Sequence, residues 1–251
     1  MPAGPRAATV PHVPDSYADL SRYYDLVMTS GYYDYDAYAR ALLARVGDST
    51  DLLELGVGTG LVCDRLLELS PAQLRITGID HTAGMLELAR GRLGDRARLL
   101  HEDVLEMSLS SSLSSSSFDA AYSVGGVWFI IQDQGEAWLS SHLMDEEDNA
   151  RGLANVAASL KPGGSLLLAV QGPHRPYERA LPGGLLYAQD VEVDEEGRGT
   201  KDYFIKRQQT LLAHQRLRFR LIPRRRADHL LQRCGFTLRE SDEVLWRYVR
   251  Q

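Results

Sequence analysis

The sequence predicts an α/β fold: a doubly wound, mostly parallel, seven-stranded sheet with an antiparallel cap inserted after the fifth parallel strand. Three observations predict it. Over residues 51–170 short apolar runs alternate with stretches of three- and four-residue apolar spacing, the pattern of strands joined by helical crossovers in a sheet covered on both faces. A glycine-rich turn, "GVGTG" at 56–60, follows the first of those runs directly. Beyond residue 171 the spacing changes to period two, with a turn-rich "DEEGRG" between strand-like arms, as antiparallel strands require.

The elements follow in order. Residues 1–14 hold four prolines and no apolar period, so a disordered tail is expected there and a single folded domain over 15–251. "SYADLSRYYDLVM" and "YDYDAYARALLARVG" space their apolar residues as helices do, the second stopping at Gly47. The parallel strands are "DLLEL" (51–55), "LRITGID" (74–80), "ARLLHED" (97–103), "FDAAYSV" (118–124) and "GSLLLAV" (164–170). Helical patterns lie between most of them, and the low-complexity "SLSSSLSSSS" (108–117) reads as a flexible surface loop. The inserted region, 171–222, ends in "RLRFRLI", where Arg216, Arg218 and Arg220 alternate with Leu217, Phe219 and Leu221. A helix in "RRRADHLLQRCGF" and two strands, "FTLRES" and "LWRYVR", then close the main sheet.

Composition narrows the chemistry. The formal net charge is −6, and the 28 Lys and Arg are dispersed, so no nucleic-acid groove is expected and a small-molecule partner is favoured. Cys63 and Cys234 are the only cysteines, too few for a disulfide framework or a thiolate metal site, which fits a reduced cytoplasm. No run of about 18 apolar residues and no export signal is present, so no membrane partner is expected.

The glycine turn has the spacing acid-x-G-x-G-x-G: Glu54, Gly56, Gly58 and Gly60. The dinucleotide fingerprint would need a small residue at 61, and Leu61 stands there. An acid in the strand suits a ligand with a cationic amine. Asp80 ends the second strand, where a carboxylate can accept both hydroxyls of a ribose. Asp103 ends the third, where it could accept from an exocyclic amine while the Val104 backbone serves a ring nitrogen. Three acidic strand ends around one glycine turn describe an adenosine with an amino-acid tail.

The ordered set "LELGVGTG", "GIDHTAGMLELAR", "HEDV", "FDAAYSV" and "LKPGGSLLL" resembles the motifs of class I S-adenosylmethionine-dependent methyltransferases, over about residues 20–170 plus "LLQRCGF". The resemblance implies a Rossmann-like sheet and S-adenosylmethionine as cofactor, with S-adenosylhomocysteine as product. It places Glu54 and the Gly56, Gly58 and Gly60 turn on the methionine moiety, Asp80 on the ribose, and Asp103 with Val104 on the adenine. Met85 would pack on the adenine, and His81 and Ser123 complete the cofactor set. "RYYDLVM" resembles the N-terminal helix of the small-molecule branch, which makes Tyr24, and after it Tyr33, the aromatic lid over the methionine end. Each residue has a structural alternative: Glu54 as a strand edge, Asp80 and Asp103 as helix caps, and Met85 and the tyrosines as packing.

In open α/β sheets the ligand lies outside the carboxyl ends of the strands. That nominates "SVGGVWFIIQ" and "QGPHRPYE" for the acceptor, with Trp128, His174 and Tyr177 as contacts and Ser123 beside them. His174 is the candidate general base, and Tyr24 joins it in the catalytic set. A solvated loop histidine and a core tryptophan are the alternatives. The expected reaction is in-line methyl transfer to nitrogen or oxygen of a small molecule, in a biosynthetic setting. The rivals are a protein that binds the cofactor without transferring methyl, as a regulatory subunit or pericyclase-like catalyst, and a nucleic-acid methyltransferase using "RLRFRLIPRRR". The inserted strands are expected to cap the site and carry acceptor specificity, with a homodimer interface as the competing reading.

Overall fold

A computed structural model describes residues 20–70, 73–107 and 117–251. The expected tail and all but the last residue of the serine-rich run lie outside them. Helices α1 (Ser21–Met28) and α2 (Tyr35–Val46) precede a βα series. It runs β1 (Asp51–Leu55), α3 (Leu61–Leu69), β2 (Arg75–Asp80), α4 (Ala83–Leu93), β3 (Arg98–His101) and β4 (Phe118–Ser123). There follow β5 (Trp128–Asp133), β6 (Glu136–Ser141), α5 (Glu146–Ser159) and β7 (Leu160–Gln171). Four more strands, β8 (Tyr177–Leu181), β9 (Leu185–Val193), β10 (Arg198–Arg207) and β11 (Thr210–Pro223), lead to α6 (Arg224–Arg233), β12 (Phe236–Ser241) and β13 (Leu245–Arg250).

The parallel core runs β3-β2-β1-β4-β7. Leu53 of β1 stands opposite Thr77 on one side and Ala121 on the other. Strand β13 adds antiparallel to β7, Leu245 opposite Ala169, and β12 pairs with β13. Strand β1 after Asp51 and strand β7 from Gly164 onward are buried, because α2, α3 and α4 cover one face and α5 and α6 the other.

The sheet holds thirteen strands instead of seven. The twelve-residue β7 outruns its neighbours, and its last two residues, Val170 and Gln171, pair with Ile130 and Ile131 of β5. Through the β5–β6 hairpin and the β6–β11 pair, strands β11, β10, β9 and β8 extend the same hydrogen-bonded sheet. The inserted strands are therefore continuous with the main sheet. The stretch "GVWFIIQ", nominated for the acceptor, supplies the first strand of this hairpin. Its turn, Gln134-Gly135, has both residues at positive φ, +50° and +85°, the geometry that closes two-residue hairpins.

Helix α1 ties the two parts together. Leu20, Val27 and Met28 are buried against Leu181, Tyr187, Tyr203 and Ile205 of the inserted strands.

Candidate functional site

The glycine turn sits at the carboxyl end of β1 and opens α3. Gly56, Gly58 and Gly60 all have positive φ, between +55° and +81°, a region that side-chain-bearing residues seldom adopt. The amides of Gly56 and Val57 both donate to the Ile79 carbonyl at 2.9 Å, which pins the turn to β2. A Cβ on Gly56 would lie 2.8 Å from the Gly126 Cα, whereas one on Gly58 would meet nothing within 4 Å. The turn is thus closed toward the β4–β5 loop and open at its middle glycine.

Asp80 ends β2, 8% exposed. One carboxylate oxygen accepts from the Gly58 amide and the other from the Thr82 amide, both at 2.8 Å. Asp80 thereby holds the middle of the turn and starts α4 at once. Each oxygen keeps a second lone pair for a further donor. Glu54 is 2% exposed, and its carboxylate accepts from the Tyr122 hydroxyl at 2.9 Å. Burial pushes the Glu54 carboxyl up to about 8, with the Asp80 charge adding to the rise and the Tyr122 hydrogen bond opposing it. Among the described residues no cationic side chain pairs with it.

Three residues that sequence reasoning missed lock α1 onto this turn. The Asp25 carboxylate accepts from the Thr59 hydroxyl and pairs with Arg92, whose Nε donates to the Thr59 carbonyl at 2.9 Å. The signal was the acid that follows Tyr24 in "RYYD". This clamp carries Tyr24 to the turn: its hydroxyl is raised above the usual phenol range first by burial and then by the charges of Asp80, Asp25 and Glu54.

The remaining expected residues divide. Met85 and Val104 are buried, and Ser123 is fully buried with its hydroxyl unpartnered. His81 and Asp103 are exposed at the ends of β2 and β3. The Asp103 carboxylate accepts from the Leu105 amide at 2.9 Å, a turn bond that leaves its other oxygen unengaged in the turn.

A cavity of about 700 Å³ opens at the carboxyl end of β7. It is bounded by the α1–α2 connection, the β7–β8 loop and the start of β8, and lined by Tyr32, Tyr33, Gln171, His174, Tyr177 and Gln189 among others. The expected residues Tyr33, His174 and Tyr177 meet here; Trp128 does not. Trp128 is 0% exposed in the core, its indole N–H donating to Asn149 Oδ1 at 2.7 Å and its ring close against Gly152 of α5. A large aromatic at the start of a buried strand packs inward, so the core alternative replaces the acceptor assignment.

His174 reaches the cavity as expected, and its surroundings bear on the role of base. Its ring stacks on Phe129, centroids 5.6 Å apart. Burial, then the nearby Lys201 and His142, lowers it to about 3. A histidine that weakly basic is neutral at pH 7 and a poor match for a general base there. Lys201, also missed, is 3% exposed on β10. Its Nζ donates to the Tyr32 hydroxyl and lies 4.8 Å from the centroid of the Tyr203 ring, and burial holds it down to about 7.

Residues 52–164 match the family model described as a methyltransferase domain. No curated protein matches the chain. Among solved structures, the chain is similar to DesVI of Streptomyces venezuelae, with 19% identity, a TM-score of 0.67 and coverage of 93% of this chain and 99% of that one. It is similar to the sugar N-methyltransferase KedS8 of Streptoalloteichus sp ATCC 53650, with 18% identity, a TM-score of 0.66 and coverage of 100% and 99%. CalS10 of Micromonospora echinaspora, an amino pentose methyltransferase of calicheamicin biosynthesis, gives 18% identity, a TM-score of 0.65 and coverage of 91% and 96%. Likeness at these identities speaks to the fold.

Proposed function

We propose that this chain is a class I S-adenosylmethionine-dependent methyltransferase, a reading supported by the methyltransferase-domain match over residues 52–164, and that it methylates a small molecule, at nitrogen or oxygen, in the cavity beside the glycine turn. One observation carries the reading: a buried acid with no cationic partner among the described residues, Glu54, stands in the strand that feeds an open glycine turn, and a cavity of about 700 Å³ opens at the end of β7 in the same sheet. Such an acid stays neutral in the free protein, and its ionised form is costly unless a cation completes the site. The residues fit the cofactor. Glu54 faces the need for an ammonium, the space at Gly58 admits close backbone approach, and Asp80 has lone pairs for ribose hydroxyls.

When bound, S-adenosylmethionine supplies a sulfonium-borne methyl group for in-line displacement. The chain's own part is to position the acceptor and exclude water. Tyr24, carried on α1 by the Asp25 clamp, covers the turn, and the inserted strands close the cavity through their packing on the same helix. Acceptor binding and cofactor binding are coupled through α1, which holds the turn through Asp25, packs on the inserted strands and leads into the connection that lines the cavity. What KedS8 and CalS10 are named for puts amines first among the acceptors to try. The test is release of S-adenosylhomocysteine, followed by mass spectrometry, when the protein and S-adenosylmethionine meet panels of small amines and alcohols. A mass gain of one methyl group on an acceptor is expected; cofactor binding with no transfer to any of them would favour the regulatory or pericyclase-like rival.

Glu54 gives a second test that needs no acceptor. With its carboxyl at about 8 the free protein holds this proton at pH 7. A bound α-ammonium favours the carboxylate, so the proton leaves. Binding of S-adenosylhomocysteine is expected to release roughly one proton at pH 7 and to tighten as pH rises from 6 to 8, since the acid must ionise to bind. Calorimetry in buffers of different ionisation enthalpy reads the number directly. Glu54→Gln should abolish the release; zero release by the unaltered protein would show that Glu54 faces no cation.

A further inference from the structure

Gln171 ends β7 at the wall of the cavity, 7% exposed. Its side-chain oxygen receives two donors: the Tyr33 hydroxyl at 3.2 Å and His174 Nε2 at 3.0 Å. His174 is neutral and has a single ring N–H, while the Lys201 Nζ lies 3.4 Å from Nδ1 and donates there. That leaves the ring proton on Nε2, pointing at Gln171. Reversing the amide would set its NH₂ against the His174 Nε2–H, whereas the Tyr33 hydroxyl can donate or accept, so the histidine contact sets the carbonyl end and the NH₂ end faces the other way. This nitrogen is buried without a hydrogen-bond partner.

Its location gives the orphan donor a meaning. A Cβ on Gly125 would lie 3.1 Å from Gln171 Nε2, and the next residue, Gly126, packs on Gly56 of the glycine turn. The orphan N–H groups therefore lie on the side of Gln171 that leads, through Gly125 and Gly126, from the cavity wall toward the turn. A buried N–H donor is satisfied by a lone pair and repelled by an ammonium or an alkyl group.

We propose that Gln171 selects the acceptor, donating from Nε2 to an oxygen carried on the carbon next to the methylated atom. The proposal rests on the small-molecule reading above. It implies acceptors of the vicinal amino-alcohol or diol class, and disfavours simple amines of the same size.

The experiment compares two probes, trans-2-aminocyclohexanol and cyclohexylamine, as acceptors for the full chain with S-adenosylmethionine. The unaltered protein is expected to methylate the amino alcohol with kcat/KM about tenfold or more above the deoxy amine, the scale by which a hydrogen-bonding site rejects an analogue without the group. Gln171→Met, close in shape but without the donor, should bring the ratio to about one, mainly through KM for the amino alcohol, with S-adenosylhomocysteine affinity within about twofold. That retained affinity also shows that the variant folds. Gln171→Glu, which keeps the shape and replaces the donor by an acceptor, should lose the preference likewise. An unchanged ratio in both variants overturns the proposal. So does a tenfold loss of S-adenosylhomocysteine affinity in Gln171→Met, since Gln171 would then serve the cofactor. Binding of the cofactor with methylation of neither probe overturns the proposed acceptor class while leaving the methyltransferase reading intact; failure to bind the cofactor at all overturns that reading first.

Discussion

Trp128→Ala is expected to lower the stability of the fold by about 3–5 kcal/mol, the range for deleting a large aromatic from a core. The ring is 0% exposed, lies against Gly152 of α5, and shares a core with Leu153, Val156 and Leu168. Its indole N–H also holds Asn149, which in turn donates to the Leu143 and Asp145 carbonyls at 2.8 Å and so fixes the start of α5. The alanine variant leaves both a cavity and an unpaired Asn149 oxygen. Trp128→Phe keeps most of the volume and should cost only about 1–3 kcal/mol, for the unsatisfied acceptor. Urea unfolding with an unchanged slope would give both numbers. If Trp128→Ala unfolds within 1 kcal/mol of the parent but loses acceptor turnover, the residue lines a pocket after all and the core assignment fails.

That residue also marks where the sequence stops being legible. The glycine spacing at 56–60, the acids at 54 and 80 and the βα alternation are local signals, because backbone conformation and strand burial are set by a few consecutive residues. The structure repeats them nearly element for element up to β4. The hairpin was missed for a different reason: "VWFIIQ" is apolar enough for a strand, a helix or a pocket lining, and the deciding signal was the small "QG" turn after it. Lys201 and Gln171 were invisible for a third reason. A lysine in an alternating strand reads as solvated, and only the pairing of β10 with β9 and β11 and the cover of Tyr32 put it inside. The same holds for Asp25, whose partners Thr59 and Arg92 lie 34 and 67 residues away. Long-range packing decided what these groups do, and one chain without its partners in view does not encode that in any short window. The basicity of His174 belongs here too, since burial under Phe129 and beside Lys201 lowers it.

Asp80→Ala is expected to weaken S-adenosylhomocysteine binding by about 1.5–3 kcal/mol, roughly 10- to 150-fold, the scale of charge-assisted hydrogen bonds lost from a formed site. Two effects act together. The carboxylate's remaining lone pairs would no longer be there for the ribose hydroxyls, and the Gly58 amide, held at 2.8 Å by Asp80, would be released. Gly58 sits at φ +55°, so a freed turn has other conformations open to it and must be re-ordered on binding. The Thr82 amide loses its partner as well, which destabilises the start of α4 by about 1 kcal/mol. These contributions are separable. Asp80→Asn keeps the volume but can offer only one oxygen to the two amides, so its NH₂ must face a donor; it should recover little of the binding. Calorimetry with S-adenosylhomocysteine and thermal unfolding without it divide the outcomes. Lost affinity with a small loss of stability assigns Asp80 to the cofactor, whereas affinity within twofold of the parent together with a lower melting temperature would reduce Asp80 to a cap for α4 and remove the ribose contact from the site.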